Sequence, residues 1–302
     1  MAAVNSNFDF DDLVLSADGI DVEKAAAIYD KFGCLVVRGL MRAHIGAMKR
    51  DIMATVDAAI SELNQAVAVP EGWKVPNGSL FLPAPKHYDR DKQIMTVGID
   101  YSTSAAFLSA ALNPATLDIV EGIIGPQVEL FGRGQVLVKE PVGGHAKQLH
   151  QDSAYFEHRY GGPVAILSYV VDTNLENGAL HVVPGSHRLG QLTHVDTFSH
   201  LGLDEGEWPW DAAVSIEGMA GDSIFFNVQT VHGSKPNFGD QPRPVFIIRY
   251  RHPDDFRIVR ATSTSNRSEA EQRSSEVTWA DDEHGFMVRG FRNSISQGAN
   301  RG

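Results

Sequence analysis

Gln148-Leu149-His150-Gln151-Asp152 is the stretch on which the reading of this chain turns. Side chains alternate faces along an extended segment, so His150 and Asp152 would share one face and Gln151 the other. An imidazole beside a carboxylate supplies two of the three ligands of a two-histidine, one-carboxylate facial triad. That triad leaves open positions on iron for a bidentate oxo-acid and oxygen. Alone, His-x-Asp is a weak signal, because a surface pair with this spacing arises easily by chance.

The surroundings of this stretch set the fold class. Downstream of residue 128 the chain turns into short β-rich runs at 128–131, 135–139, 164–171, 180–183, 223–227 and 245–250. Asn177-Gly178, Pro184-Gly185 and Gly221-Asp222 punctuate them as turns. Upstream, Asp21 caps an expected helix that Gly33 ends, followed by a strand at 35–38. Apolar residues at helical spacing (Ile45, Met48, Ile52, Val56, Ile60, Leu63) predict one long helix over 43–67. Prolines and glycines from Pro70 to Pro85 predict a loop over 70–100. Asn113-Pro114 opens a further helix that ends near Gly125. The expectation is a mainly β fold with flanking helices: an antiparallel barrel or sandwich with helices on one side. A single domain over 1–302 is expected. Its parts are a helical portion to about 127, a β core over about 128–260 and a tail over about 261–302.

A third ligand must come from elsewhere. The chain holds 12 histidines, and His232 is the candidate, in Val231-His232-Gly233-Ser234 after the apolar strand that begins at Ser223. Arg243 supports the choice. It stands eleven positions later, across the turn Asn237 to Pro242, and an antiparallel return would bring it back toward His232. A dicarboxylate that chelates iron at one end needs a cation for the other, and a guanidinium binds carboxylate in bidentate fashion. Ser234 would add a hydroxyl. Without iron, Arg243 reads as a surface residue at a strand end.

Taken in order, these pieces resemble the phytanoyl-CoA dioxygenase family. They are Leu149-His150-Gln151-Asp152, Glu176-Asn177-Gly178-Ala179-Leu180, Val183-Pro184-Gly185-Ser186-His187, Ala220-Gly221-Asp222, His232-Gly233-Ser234 and Arg243. The resemblance spans residues 30 to 252. It implies a double-stranded β-helix (jelly-roll, cupin-like) core that uses iron(II), 2-oxoglutarate and O2 to hydroxylate an aliphatic carbon. By resemblance His150, Asp152 and His232 are ligands and Arg243 receives the distal carboxylate. Gln135 lies on a strand where the family often places a 2-oxoglutarate contact. Related halogenases have a small residue where Asp152 stands, so oxygen insertion is expected here rather than halogenation. Desaturation, ring closure and epimerisation stay open.

Softer readings concern the pocket wall. Tyr155 and Phe156 follow the metal motif directly. Phe198, Trp208 and Trp210 lie in the long segment 190–214, which has the aromatic content of a lid. His158 would face either substrate or solvent. His145 flanks the motif, His181 reads as a core histidine, and His187 as a structural loop residue.

Composition narrows the partners. A formal net charge of -12 argues against nucleic acid and against an anionic membrane surface. The single cysteine, Cys34, rules out an intrachain disulfide and suits a reducing compartment, so a cytoplasmic protein is expected. The N-terminus shows no basic region followed by an apolar stretch, and no signal peptide is expected. A small or natural-product-like substrate is expected, with no evident Lys/Arg cluster for CoA or a phosphonate. A homo-oligomer is compatible with the sequence. Two rivals remain: a cupin-like hydrolase or isomerase on zinc or manganese, and a non-catalytic jelly-roll binding protein.

Overall fold

A computed structural model describes residues 9–86, 88, 90–197, 200–260, 277–279 and 284–292. Helix α1 (Val22–Phe32) starts where the Asp21 carboxylate accepts from the Lys24 amide, and stops at Gly33, whose φ is 69°. Ala25, Ile28, Tyr29 and Phe32 form its buried face, the spacing of one helical stripe. Helix α2 (Arg42–Ser61) buries Ile45, Met48 and Ile52 and ends earlier than the apolar periodicity suggests. A 3-10 turn at Leu63–Gln65 follows. Short α3 (Ala105–Ala111), which the periodicity did not announce, leads into α4 (Pro114–Ile124). No single helix among the described residues is long and apolar enough to cross a membrane.

The strands run in chain order. β1 (Val14–Ser16) and β2 (Cys34–Arg38) precede β3 (Val67–Val69), β4 (Gly72–Lys74), β5 (Leu80–Pro83) and β6 (Lys92–Val97). Then come β7 (Val128–Lys139), β8 (Lys147–His150), β9 (Glu157–His158), β10 (Val164–Tyr169) and β11 (Leu180–Val182). β12 (Val195–Asp196) and β13 (Leu201–Gly202) form a small hairpin. β14 (Val214–Ile216), β15 (Ser223–Asn227), β16 (His232–Ser234) and β17 (Arg243–Arg251) complete the core.

Two sheets hold all of these strands but β9, β12 and β13. The large one is ordered β1-β2-β15-β10-β17-β7-β6-β5-β4-β3, and the small one β14-β11-β16-β8. Along the chain, β7, β8, β10, β11, β14, β15, β16 and β17 switch between the sheets, except that β11 and β14 follow one another in the small sheet, in the interleaved pattern of a jelly-roll. Helices and large sheet share one hydrophobic cluster, from Leu13 and Phe32 through Phe107 and Ile119 to Phe225 and Tyr250.

Two expectations are corrected. Residues 70–100 are not a loop: β3 to β6 form a meander that extends the large sheet beyond β7. Its prolines and glycines sit largely in turns between strands too short to show alternation. The runs 128–131 and 135–139 are one strand, bulged where Gly132 and Gly134 take φ of 69° and 80°. Near the chain end a strand Phe286–Arg289 pairs with β7; Val288 packs on the core, and Phe286 and Phe291 are exposed. Of the expected tail over about 261–302, only 277–279 and 284–292 are among the described residues. Before it, β18 (Arg257–Arg260) pairs with β9 and with β19 (Val277–Trp279).

Strand β17 shows how the fold separates two duties. Arg243, Val245, Ile247 and Arg249 line a cavity between the sheets, while Phe246 and Tyr250 face the helices. Phe246 is fully buried and meets Phe107 of α3 edge-on at 5.0 Å. The Tyr250 hydroxyl donates to the Ala111 carbonyl at 2.6 Å. Phe246→Ala should therefore cost about 3–5 kcal/mol, read as a lower urea midpoint with unchanged transition slope.

Candidate functional site

The cavity occupies about 360 Å³ between β7, β17 and β10 on one side and β8, β11 and β16 on the other. Its centre is made by paired strands: His150 on β8 stands directly opposite His232 on β16. Strand β8 ends at His150, Gln151 is still extended (φ -113°, ψ 136°), and Asp152 opens a 3-10 turn. The expected alternation thus survives although Asp152 is not itself in a strand. Ligating atoms of His150, Asp152 and His232 all lie within 4.8 Å of one another, and all three residues are buried. Asp152 Oδ1 is 3.8 Å from His150 Nε2 and 3.7 Å from His232 Nε2.

Backbone carbonyls orient both rings. His150 Nδ1 lies 2.8 Å from the Gln148 carbonyl, and His232 Nδ1 lies 2.9 Å from the Thr230 carbonyl. A carbonyl only accepts, so each Nδ1 carries the proton and each Nε2 presents a lone pair to the common centre. Burial pushes both imidazoles below their ordinary pKa, and the carbonyl contacts and Asp152 only partly oppose it. Burial acts to raise the Asp152 carboxyl, but Arg249 and the two imidazoles outweigh it and hold the group well below its usual range. Arg249 donates to Asp152 Oδ2 from two nitrogens, at 2.6 and 3.1 Å. Two neutral imidazole nitrogens and one ionised carboxylate oxygen in this arrangement match the donor set of a 2-His-1-carboxylate iron site.

Gln151, between the two, points away and is fully buried. Its amide donates to the Gly190 and Gln229 carbonyls and accepts from the Leu192 amide. It ties the turn before His232 and the start of the 190–214 segment to the strand carrying His150.

Arg243 lies in the same cavity, 3% exposed, but reaches it by another route than the expected hairpin. β17 pairs with β10 and β7 in the facing sheet, so Arg243 approaches His232 across the sandwich. Its guanidinium donates to the Gly178 carbonyl. Gly178 is held at φ 86°, and a Cβ there would come within 2.6 Å of the Lys235 carbonyl, which explains the glycine at this turn. Ser234 and Gln135 also line the cavity.

Several site residues carried no usable sequence signal. Lys139 stands opposite Arg243 in the β7–β17 ladder, is buried, and is driven well below the ordinary lysine range by burial and by Arg243 and Lys147. Lys147 lines the cavity and is lowered to about 8 by burial, with Asp152 opposing. Arg249 and His200 lie in the wall too, the His200 ring 5.0 Å from that of His150. A cluster of basic side chains therefore exists where none was evident, because strands far apart in sequence assemble it. His145, which sequence placed only as a flanking residue, also faces the cavity.

Of the softer candidates, Tyr155 and Phe156 line the cavity. His158 is buried rather than solvated, between Phe131 and Phe156 at 5.1 and 5.6 Å, and is not among the cavity-lining residues. Trp208 and Trp210 are not in the cavity wall; they pack on the second hydrophobic cluster of Leu149, Val183, Leu203 and Val231. Phe198 lies outside the described residues. His181 is buried against Trp210, and His187 holds the Asp30 carbonyl at 3.1 Å.

A family model described as phytanoyl-CoA dioxygenase matches residues 29–245. The chain is 26% identical over 156 residues to a probable alpha-ketoglutarate-dependent hypophosphite dioxygenase of Stutzerimonas stutzeri, covering 47% of this chain and 52% of that protein. It is 25% identical over 196 residues to a probable phytanoyl-CoA dioxygenase of Caenorhabditis elegans, covering 61% and 62%. It is 27% identical over 163 residues to an L-proline trans-4-hydroxylase of Streptomyces griseoviridis, covering 45% and 59%. The chain thus spans about half to three-fifths the length of these relatives. Among solved structures, the non-heme alpha ketoglutarate dependent carbocyclase SnoK superposes with a TM-score of 0.59 at 18% identity, over 91% of this chain and 98% of that one. EctD from S. alaskensis with 2-oxoglutarate and 5-hydroxyectoine gives 0.58 at 18%, over 88% and 86%. The fold is shared with these oxygenases, which have a jelly-roll core.

Buried histidines make stability depend on pH. Burial, aided by Lys139 and Lys147, lowers His145 from 6.5 to about 4, and burial with Arg251 does the same to His158. Each ring stays neutral in the fold but protonates on unfolding, so the unfolded chain binds more protons between about pH 6.5 and 4. Stability then falls as pH falls through that window. Urea midpoints of metal-free protein should decline as pH falls from about 6.5 to about 4.5; a level midpoint across that window would contradict neutral burial.

Proposed function

Because the chain belongs to the phytanoyl-CoA dioxygenase family, we propose that it is an iron(II)- and 2-oxoglutarate-dependent dioxygenase that hydroxylates an aliphatic carbon of a small molecule. One observation carries the reading. Two imidazole Nε2 atoms and a carboxylate oxygen converge in a cavity whose wall also holds a buried guanidinium. His150, Asp152 and His232 would hold the metal. Arg243, with Ser234, would receive the distal carboxylate of 2-oxoglutarate, and Gln135 lies in reach of the same space.

Iron(II), with 2-oxoglutarate and O2, would supply the oxidising chemistry, releasing succinate and carbon dioxide as the substrate gains oxygen. The protein's part is placement and exclusion of water. The Gln148 and Thr230 carbonyls fix the ring tautomers. Arg249 engages Oδ2 of Asp152 and leaves Oδ1 for the metal, which favours one-oxygen binding. Tyr155 and Phe156 would face the substrate, with the Arg249 guanidinium over the Phe156 ring at 5.5 Å. As a metal ligand Asp152 would leave no place for a halide, which favours oxygen insertion. The relative named for L-proline 4-hydroxylation supports the same outcome at an aliphatic carbon. The hydrophobic cluster shared by helices and sheet supports a single domain, and the lone Cys34 supports a reducing, cytosolic setting.

The metal and co-substrate roles are tested separately. His232→Ala should abolish iron binding and turnover with the fold retained. Arg243→Ala should raise the 2-oxoglutarate requirement by the equivalent of about 2–5 kcal/mol, since a buried carboxylate loses its charged partner. An unchanged requirement would place the co-substrate elsewhere. With labelled oxygen and excess chloride, label should enter succinate and product. A chlorinated product would refute the role of Asp152, and a product lighter by two hydrogens would replace hydroxylation with desaturation.

A further inference from the structure

The cavity carries more positive charge than iron and 2-oxoglutarate use. Its wall holds four basic side chains, Lys139, Lys147, Arg243 and Arg249, against one carboxylate, Asp152, so that even with Lys139 neutral the cations outnumber it. Iron(II) and the 2-oxoglutarate dianion cancel one another, so binding both leaves this excess in place. The excess is local, because the chain as a whole is acidic, at -12.

Three of the four are already committed. Arg243 faces the co-substrate end, and Arg249 is engaged by Asp152. Lys139 donates to the His145 and Ser234 carbonyls. The Lys147 ammonium makes no hydrogen bond or ion pair to any other described residue, although it lies in the cavity wall. Lys147 is part-buried, and a part-desolvated ammonium with no protein partner gains from an anion beside it.

A backbone irregularity puts Lys147 there. His232 pairs with His150 and Ser234 with Lys147, so two steps on β16 match three on β8. The extra residue shifts the alternation, and Lys147 joins His150 on the cavity side. Gly233 lies under this bulge; a Cβ there would come within 2.7 Å of the Lys147 carbonyl and 3.0 Å of the Leu149 nitrogen.

We propose that the substrate oxidised at this site is an anion whose carboxylate or phospho group is received by Lys147. This rests on the iron and 2-oxoglutarate reading above and names the substrate class it left open.

The test uses full-length protein, anaerobic, with iron(II) and saturating 2-oxoglutarate, whose charge-transfer absorption reports ligands arriving near the metal. Hexanoate, hexylphosphonate, hexanol and hexylamine are titrated at constant ionic strength. Both anions, or one of them, should bind at least about tenfold tighter than hexanol, and hexylamine more weakly still. The tighter anion identifies the headgroup. K147M should bring the anions to within about twofold of hexanol, while K147R keeps most of the preference. Circular dichroism confirms folding of both variants. Equal binding of hexanol and the anions overturns the proposal, as does an anion preference that survives K147M. A folded K147M that no longer forms the charge-transfer complex assigns Lys147 to the co-substrate and also overturns it. Absence of that absorption in the unmodified protein is a different failure: it removes the iron reading, and this inference with it.

Discussion

The pairing of two short strands governs the site. β8 and β16 put His150 and His232 opposite one another, although 81 positions separate them in the chain. Nothing local brings these imidazoles together; the small sheet does, and it exists only because strands alternate between two sheets. Asp152 then needs no strand of its own. It follows His150 by two residues, and the buried Gln151 amide fixes the backbone between them. The ligand geometry is a by-product of ladder register plus one buried side chain.

Electrostatics builds on that geometry. A carboxylate buried between two imidazoles would ordinarily resist ionisation. Arg249, delivered by the facing sheet, reverses this. The same strand delivers Arg243, four side-chain positions along the same face being 243, 245, 247 and 249. The site therefore depends on both sheets: ligating atoms come from the small one and its following turn, guanidinium groups from the large one.

Sequence reasoning reached the residues tied to a short motif. His150 and Asp152 were readable from two-residue alternation, His232 and Arg243 from their order and spacing. The helix caps at Asp21 and Asn113 were equally plain, because capping is a local matter. What escaped depends on non-local assembly. The meander 67–97 was hidden because strands of three to six residues between prolines show too little alternation. Lys139, Lys147 and Arg249 were hidden for a different reason. They come from three different strands, and no spacing links 139, 147 and 249. Lys147 was doubly concealed, since strict alternation from His150 would turn it outward and only the bulge opposite Gly233 turns it in. Trp208 and Trp210 failed in the opposite sense: their aromatic content suggested a lid wall, yet the smaller apolar cluster behind β8 claims them.

The two faces of β17 bear on how such a protein diverges. Odd positions look into the cavity, and even positions such as Phe246 and Tyr250 lock the strand onto α3. A substitution at 245 or 247 reshapes the space beside the metal centre without touching the seam with the helix. A lineage can therefore explore new substrates one odd residue at a time while its scaffold stays put. Arg243 and Arg249 bracket that variable stretch, so the exploration happens between two fixed charges.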